Sequence, residues 1–264
     1  MTSTLAFWLS LAIKLGVTAS FVVLASLVAQ RAGALMGAMI ATLPVSAGPI
    51  YVFLALDHDA AFIAQSALGS FTVNAVTGVY ALTYAVLAQR LGMILSLALA
   101  LAVWFALGAG VRFIDWTIVS AAIFCAVVQA ACLYLSRPYR HAPMPHSVRR
   151  WYDLPMRATM VAALVVVVVL VSPYVGPFGS GMLAVFPIVL TSIILILHPR
   201  VGARPTAAVL ANTISGLVGF AIALATLHVT AVSLGVWTAF ALSLAISIAW
   251  NLMVLALRRR GIQL

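Results

Sequence analysis

Five residues recur at one spacing. Trp8, Lys14, Gly33, Met39 and Pro44 reappear as Trp151, Arg157, Gly176, Met182 and Pro187, each 143 residues later, with one cation replacing another. Over positions 8–64 this ungapped offset gives 15 identities in 57 columns. Matches of Ala, Leu and Val mean little in so apolar a chain, so the weight rests on the Trp, Gly, Met, Pro and basic positions. A chain made of two copies of one unit must arrange both copies about a common axis. That restricts the fold more than any single motif does.

The medium is a bilayer. The chain is 65% hydrophobic and 7% charged, with no Glu and four Asp (Asp57, Asp59, Asp115 and Asp153). A soluble domain carries about a quarter charged residues, whereas a spanning helix needs about 20 apolar ones. Nine apolar segments are expected near 6–29, 33–56, 61–88, 92–110, 116–136, 155–174, 178–197, 205–227 and 233–257. The first is read as a true span and not a cleaved leader, because Lys14 interrupts its apolar run instead of preceding it.

Nine spans put alternate loops on one side. That side collects twelve of the fourteen basic residues: Arg31, Arg90, Arg137, Arg140, Arg149, Arg150, Arg157, Arg200, Arg204 and Arg258 to Arg260. Lys/Arg excess marks the cytoplasmic side, so the N-terminus is expected outside and the C-terminus inside a cytoplasmic (inner) membrane. The net charge of +10 is thereby explained by topology, and nucleic acid is not expected as a partner. Anionic headgroups are the expected neighbours of the basic connector.

Five spans separate span 1 from its copy, span 6, and an odd number inverts the copy. The expected fold is an all-α integral membrane protein with two inverted-topology repeats plus one extra helix. Residues 1–264 form one membrane domain. Within it lie a first repeat (1–90, spans 1–3), spans 4 and 5 (91–136), a connector (137–153), a second repeat (154–230, spans 6–8), and span 9 with a basic C-terminus (231–264). Trp116-Thr117 and Arg137 match Trp237-Thr238 and Arg258 at an offset of 121. This favours span 5 over span 4 as the counterpart of span 9.

A cation, an apolar span and then Gly with Pro beyond it recur as Lys14…Gly37-Ala-Met-Ile-Ala-Thr-Leu-Pro44 and Arg157…Gly181-Met-Leu-Ala-Val-Phe-Pro187. This pattern resembles small four-span proteins of the GlpM type and a related uncharacterised family, over most of each half. The fused two-half plan is similar in outline to drug/metabolite transporters. The resemblance implies a fold and brings no settled activity with it.

Inverted repeats that rock about a central site suit a secondary transporter or facilitator, the function expected here, with a small-molecule substrate. An organic anion or small amphipathic metabolite is the favoured cargo. The rival expectation is a non-transporting subunit that scaffolds an envelope complex; homo-oligomer or complex partners stay open. No enzyme, cofactor or metal site is expected. Span interiors lack carboxylates, and neither metal-spaced His/Cys clusters nor a phosphate-binding loop is present. Cys125 and Cys132, seven apart on one expected helix, sit about 10 Å apart and cannot bridge.

The candidate substrate-binding residues are Lys14, Pro44, Ser46, Asn74, Arg157, Pro187, Thr191 and Asn212. Pro44 and Pro187 sit mid-span, where the missing N–H either kinks the helix or breaks it against a polar path. Lys14 and Arg157 either snorkel to headgroups or, if buried, call for a compensating anion. Ser66, Ser70, Thr72, Asn74 and Thr77 in span 3, and Asn212, Thr213 and Ser215 in span 8, are either helix–helix contacts or cavity donors.

Overall fold

The computed structural model describes residues 9, 13–14, 16–20, 23–24, 46–142 and 150–259. Among them there is no strand. Eight α-helices follow one another: α1 (Ala47–Asp57), α2 (Ala60–Leu87), α3 (Met93–Arg112), α4 (Ile118–Leu135), α5 (Asp153–Ala184), α6 (Ile188–Val201), α7 (Ala203–Leu234) and α8 (Val236–Arg259). The described residues from 9 to 24 are also helical. Six helices (α2, α3, α4, α5, α7 and α8) are long and apolar enough to cross a membrane, whereas α1 and α6 are shorter.

Local chemistry sets the helix starts. Asp59 Oδ1 accepts from Phe62 N at 2.8 Å, capping an orphan donor of α2. Thr117 and Ser120 form a reciprocal capping box at the start of α4, which satisfies two more. The helices after the turns keep the repeat spacing: α2 begins at Ala60 and α7 at Ala203, 143 apart.

The segment expected as spans 6 and 7 is one helical run broken twice. Gly176 has φ 72° and ψ −179°, a conformation open to glycine at no Cβ cost. It reverses the chain, so 153–175 and 177–184 run in opposite directions. Just before it, Pro173 frees the Val169 carbonyl, and Ser172 Oγ donates to that carbonyl at 3.2 Å. The second break, at Val185-Phe186-Pro187, separates 177–184 from α6.

Two groups of polar contacts between helices mark the two ends of the molecule. At one end Lys14 meets Asp57, His58 meets Ser172, and His228 meets the Ala64 carbonyl. At the other, Tyr84 meets His198, Asn212 Nδ2 donates to the Arg140 carbonyl, and Arg200 meets Asp153. Every one of these contacts joins residues that the nine-span threading puts on the same side.

At the centre α2 lies against α7. Asn74 Nδ2 donates to the Leu217 carbonyl at 2.8 Å, and these two residues are 143 apart. Ala64 and Asn74 meet His228 and Leu217 respectively. Advancing along α2 therefore means retreating along α7, and the two helices are antiparallel. On its other faces α2 receives α3, α4 and the broken segment, and α8 packs on α7. There Trp250 Nε1 donates to the Ser215 carbonyl at 3.0 Å.

Candidate functional site

The second break gathers several buried polar contacts. Pro187 offers no N–H, so the preceding carbonyls lose their helical partners. The Val185 and Phe186 N–H groups turn back to the Leu183 carbonyl. This releases the Gly181 carbonyl, which an unbroken helix would bond to Val185 N. In hydrocarbon such a carbonyl needs a protein partner, and α2 supplies it. Ser70 Oγ donates to Gly181 O at 2.6 Å, and Thr77 Oγ1 lies 3.5 Å from Val185 O.

These contacts belong to a stripe. Ser66, Ser70, Thr77, Tyr80 and Tyr84 follow spacings of four, seven, three and four, one face of a helix. Tyr51 Oη, on α1, lies 2.6 Å from Ser70 Oγ. Since Ser70 gives its proton to Gly181 O, Tyr51 is the donor. Thr191 Oγ1 donates to Pro187 O at 2.8 Å, so Tyr80 Oη, 2.9 Å away, donates to Thr191. Tyr84 Oη lies 2.5 Å from His198 Nδ1. From Ser66 to Tyr84 the stripe covers about 27 Å along the axis, close to the hydrocarbon thickness of about 30 Å.

Phe186, inside the break, is held from the side by α3. Its ring meets Trp104 edge-to-face at 5.1 Å, while Trp104 Nε1 donates to Thr77 Oγ1 at 3.2 Å. Trp104 is 2% exposed, so the aromatic pair and the hydroxyl stripe form one packed unit around the break.

The expected site residues separate into groups. Pro187 and Thr191 stand together at the break. Asn74 is on α2 but turns towards α7, with its Oδ1 buried and unpartnered. Asn212 bonds the Arg140 carbonyl and its own helix at Ala208, near one end of the fold. Ser46 precedes α1 and makes no side-chain cap. Pro44 lies outside the described residues. Lys14 Nζ is 2.5 Å from Asp57 Oδ2 and 13% exposed, so the carboxylate facing it comes from the chain itself. Arg157 is half-buried, one turn beyond Asp153 on the same helix.

At the other end Arg200 forks onto Asp153, with Nη1 2.8 Å from Oδ2, and its guanidinium lies 5.5 Å from the Tyr152 ring centroid. The Asp153 carboxylate holds Arg200 still more firmly protonated than usual. Hydrogen bonds from Arg200 and Arg150 pull the Tyr152 phenol below its ordinary range.

Tyr51, Tyr80, Tyr84 and Trp104 are the site residues that span reading misses. The signal was present as the continuation of the Ser66–Ser70–Thr77 face by two tyrosines. Among the described residues no group of three or more His, Cys, Asp or Glu could hold a metal ion. Cys125 and Cys132 are buried free thiols, and Cys125 Sγ lies 3.0 Å from the Phe71 carbonyl. Compared with protein families, curated proteins and solved structures, the chain matches none of them.

Proposed function

We propose that this protein is a small secondary transporter or facilitator of the cytoplasmic membrane, with two inverted repeats that alternate access about α2 and the broken segment. The observation that carries the reading is the helix break at Val185–Pro187 facing a hydroxyl stripe as long as the hydrocarbon is thick. Broken helices in transporters expose backbone carbonyls at a substrate path, and here such carbonyls are met by exchangeable hydroxyl donors. The antiparallel pairing of α2 with α7, hydrogen-bonded through residues 143 apart, supports inverted repeats. The gathering of basic residues at the His198–Arg200 end supports a cytoplasmic location for that end.

The cargo favoured is a small amphipathic metabolite bearing hydroxyl or amide groups. The stripe carries no formal charge, and Asp57 already answers Lys14, which weakens the case for an organic anion. Direct packing of Gly181 against Ser66, where an added Cβ would come within 1.8 Å of a backbone oxygen, favours a second reading: a closed, non-transporting subunit of an envelope complex.

Reconstituted proteoliposomes separate the two. Protein-dependent uptake of a labelled polyol is expected to exceed uptake of a labelled dicarboxylate. Tyr80→Phe is expected to lower it by about fivefold, the worth of one hydrogen bond of about 1 kcal/mol. No protein-dependent flux of any solute class, together with co-purification of a fixed partner, would sink the transport reading.

A further inference from the structure

The two ion pairs are charge-reversed counterparts. Asp57 ends α1 and Arg200 lies in the last turn of α6, 143 residues further on. The partner of Asp57 is Lys14, on the leading helical segment of the first half. The partner of Arg200 is Asp153, on the leading helix of the second half, one turn before Arg157, the counterpart of Lys14. Each pair thus ties the leading helix of its half to the final turn of the helix that follows the repeat's proline. The aromatic companions are reversed as well. Phe53 on α1 lies 5.8 Å from Lys14 Nζ, whereas Tyr152, the residue just before α5, lies 5.5 Å from the Arg200 guanidinium. In both cases the ring is on the element opposite the cation.

The pairs sit at opposite ends of the fold; Asp153–Arg200 is covered on both sides, whereas in Lys14–Asp57 the lysine is covered and the carboxylate is exposed. Lys14 is 13% exposed, Asp57 42%, Arg200 12% and Asp153 11%. Loss of one partner strands a covered charge: Lys14 when Asp57 is neutralised, and either member of the Asp153–Arg200 pair when the other is lost. We propose that Lys14–Asp57 and Asp153–Arg200 are two latches, one at each end of the fold, each fastening the leading helix of its half to the helix that follows the repeat's proline, both closed here and each releasing its own end independently. This rests on the transport reading above. Two-fold related halves that exchange conformations need one latch per end, and the repeat puts a latch at the same place in each half. The reversed polarity gives each latch its own partner and makes the ends separately adjustable.

Maleimide labelling of purified protein in nanodiscs tests this without any cargo. In a Cys125→Ala, Cys132→Ala background, one reporter is Ser66→Cys, near the Lys14–Asp57 end, and the other is Ser192→Cys, near the Asp153–Arg200 end; both serines are buried. Asp57→Asn is expected to speed labelling at position 66 by about fivefold or more and leave position 192 unchanged. Asp153→Asn is expected to do the converse. The double exchange Lys14→Asp, Asp57→Lys is expected to restore slow labelling at position 66, and it keeps the test valid if a single variant folds poorly. Acceleration of both reporters by either variant, acceleration of neither, or failure of the exchange to restore would overturn the proposal. Selective labelling with no flux of any solute would instead overturn transport and leave the two latches standing.

Discussion

Gly181→Ala tests the packing of the break most sharply. A Cβ at position 181 would lie 1.8 Å from Ser66 O and 2.6 Å from Ser66 C. An ordinary carbon–oxygen contact is about 3.3 Å, so α2 and the 177–184 segment must part locally by roughly 1.5 Å. The Ser70 Oγ bond to Gly181 O, now 2.6 Å, then stretches beyond hydrogen-bond range. Its loss costs about 0.6 kcal/mol inside a membrane protein, and overpacking adds about 1–3 kcal/mol. The combined cost of about 1.6–3.6 kcal/mol lowers the folding equilibrium constant by about 15- to 450-fold. Equilibrium unfolding in mixed micelles, titrated with SDS and followed by tryptophan fluorescence, measures it. Gly110→Ala is the control: nothing lies within 4 Å of its built Cβ, and Ala favours the α3 helix by up to about 1 kcal/mol. If Gly181→Ala unfolds at the same SDS fraction as Gly110→Ala, the close contact that defines the site is wrong.

Two further outcomes follow from the burial and electrostatics. Cys125 and Cys132, 3% and 2% exposed, are expected to resist maleimide in folded protein and to react as soon as SDS unfolds it; immediate labelling of both in the native state would contradict the packing of α4 on α2. Tyr152 is expected to ionise below the free tyrosine range, because its phenolate is favoured by hydrogen bonds from Arg200 and Arg150. In a 295 nm difference titration Arg200→Gln should shift that step to higher pH, and an unchanged step would remove Arg200 from the account.

Much of the helical fold was legible in the sequence because long apolar runs between polar breakers leave few choices. Apolar runs and breakers such as Asp59 and the His198–Pro205 stretch located the described helices from α2 onward, and the break at Pro187 was one of two readings of a mid-span proline. The latches were not legible. Lys14 and Asp57 are 43 residues apart, on elements whose approach depends on tertiary packing. The repeat disguises the pair by placing Arg200 where the first half has an acid. The stripe on α2 was half legible: Ser66, Ser70 and Thr77 advertise a polar face, whereas Tyr80 and Tyr84 read as ordinary apolar span residues until their hydroxyls meet Thr191 and His198. Asn74 and Asn212 look alike as intramembrane amides. They diverge because Asn74 faces the middle of α7, whereas Asn212 lies level with the 3₁₀ turn at Arg137–Tyr139 and the Arg140 carbonyl after it.

The joints after residue 187 are as short as a polypeptide permits. Gly202 alone separates α6 from α7, and Gly235 alone separates α7 from α8; both adopt positive φ. Single-residue corners leave no slack, so these helices are coupled like links of a folding rule and cannot slide on floppy tethers. The spare length in this half is the three-residue interruption between Ala184 and Ile188. Any large displacement of α6, α7 and α8 must therefore be absorbed before them, at this interruption or at the Gly176 corner, which makes these two breaks the joints on which the second half turns.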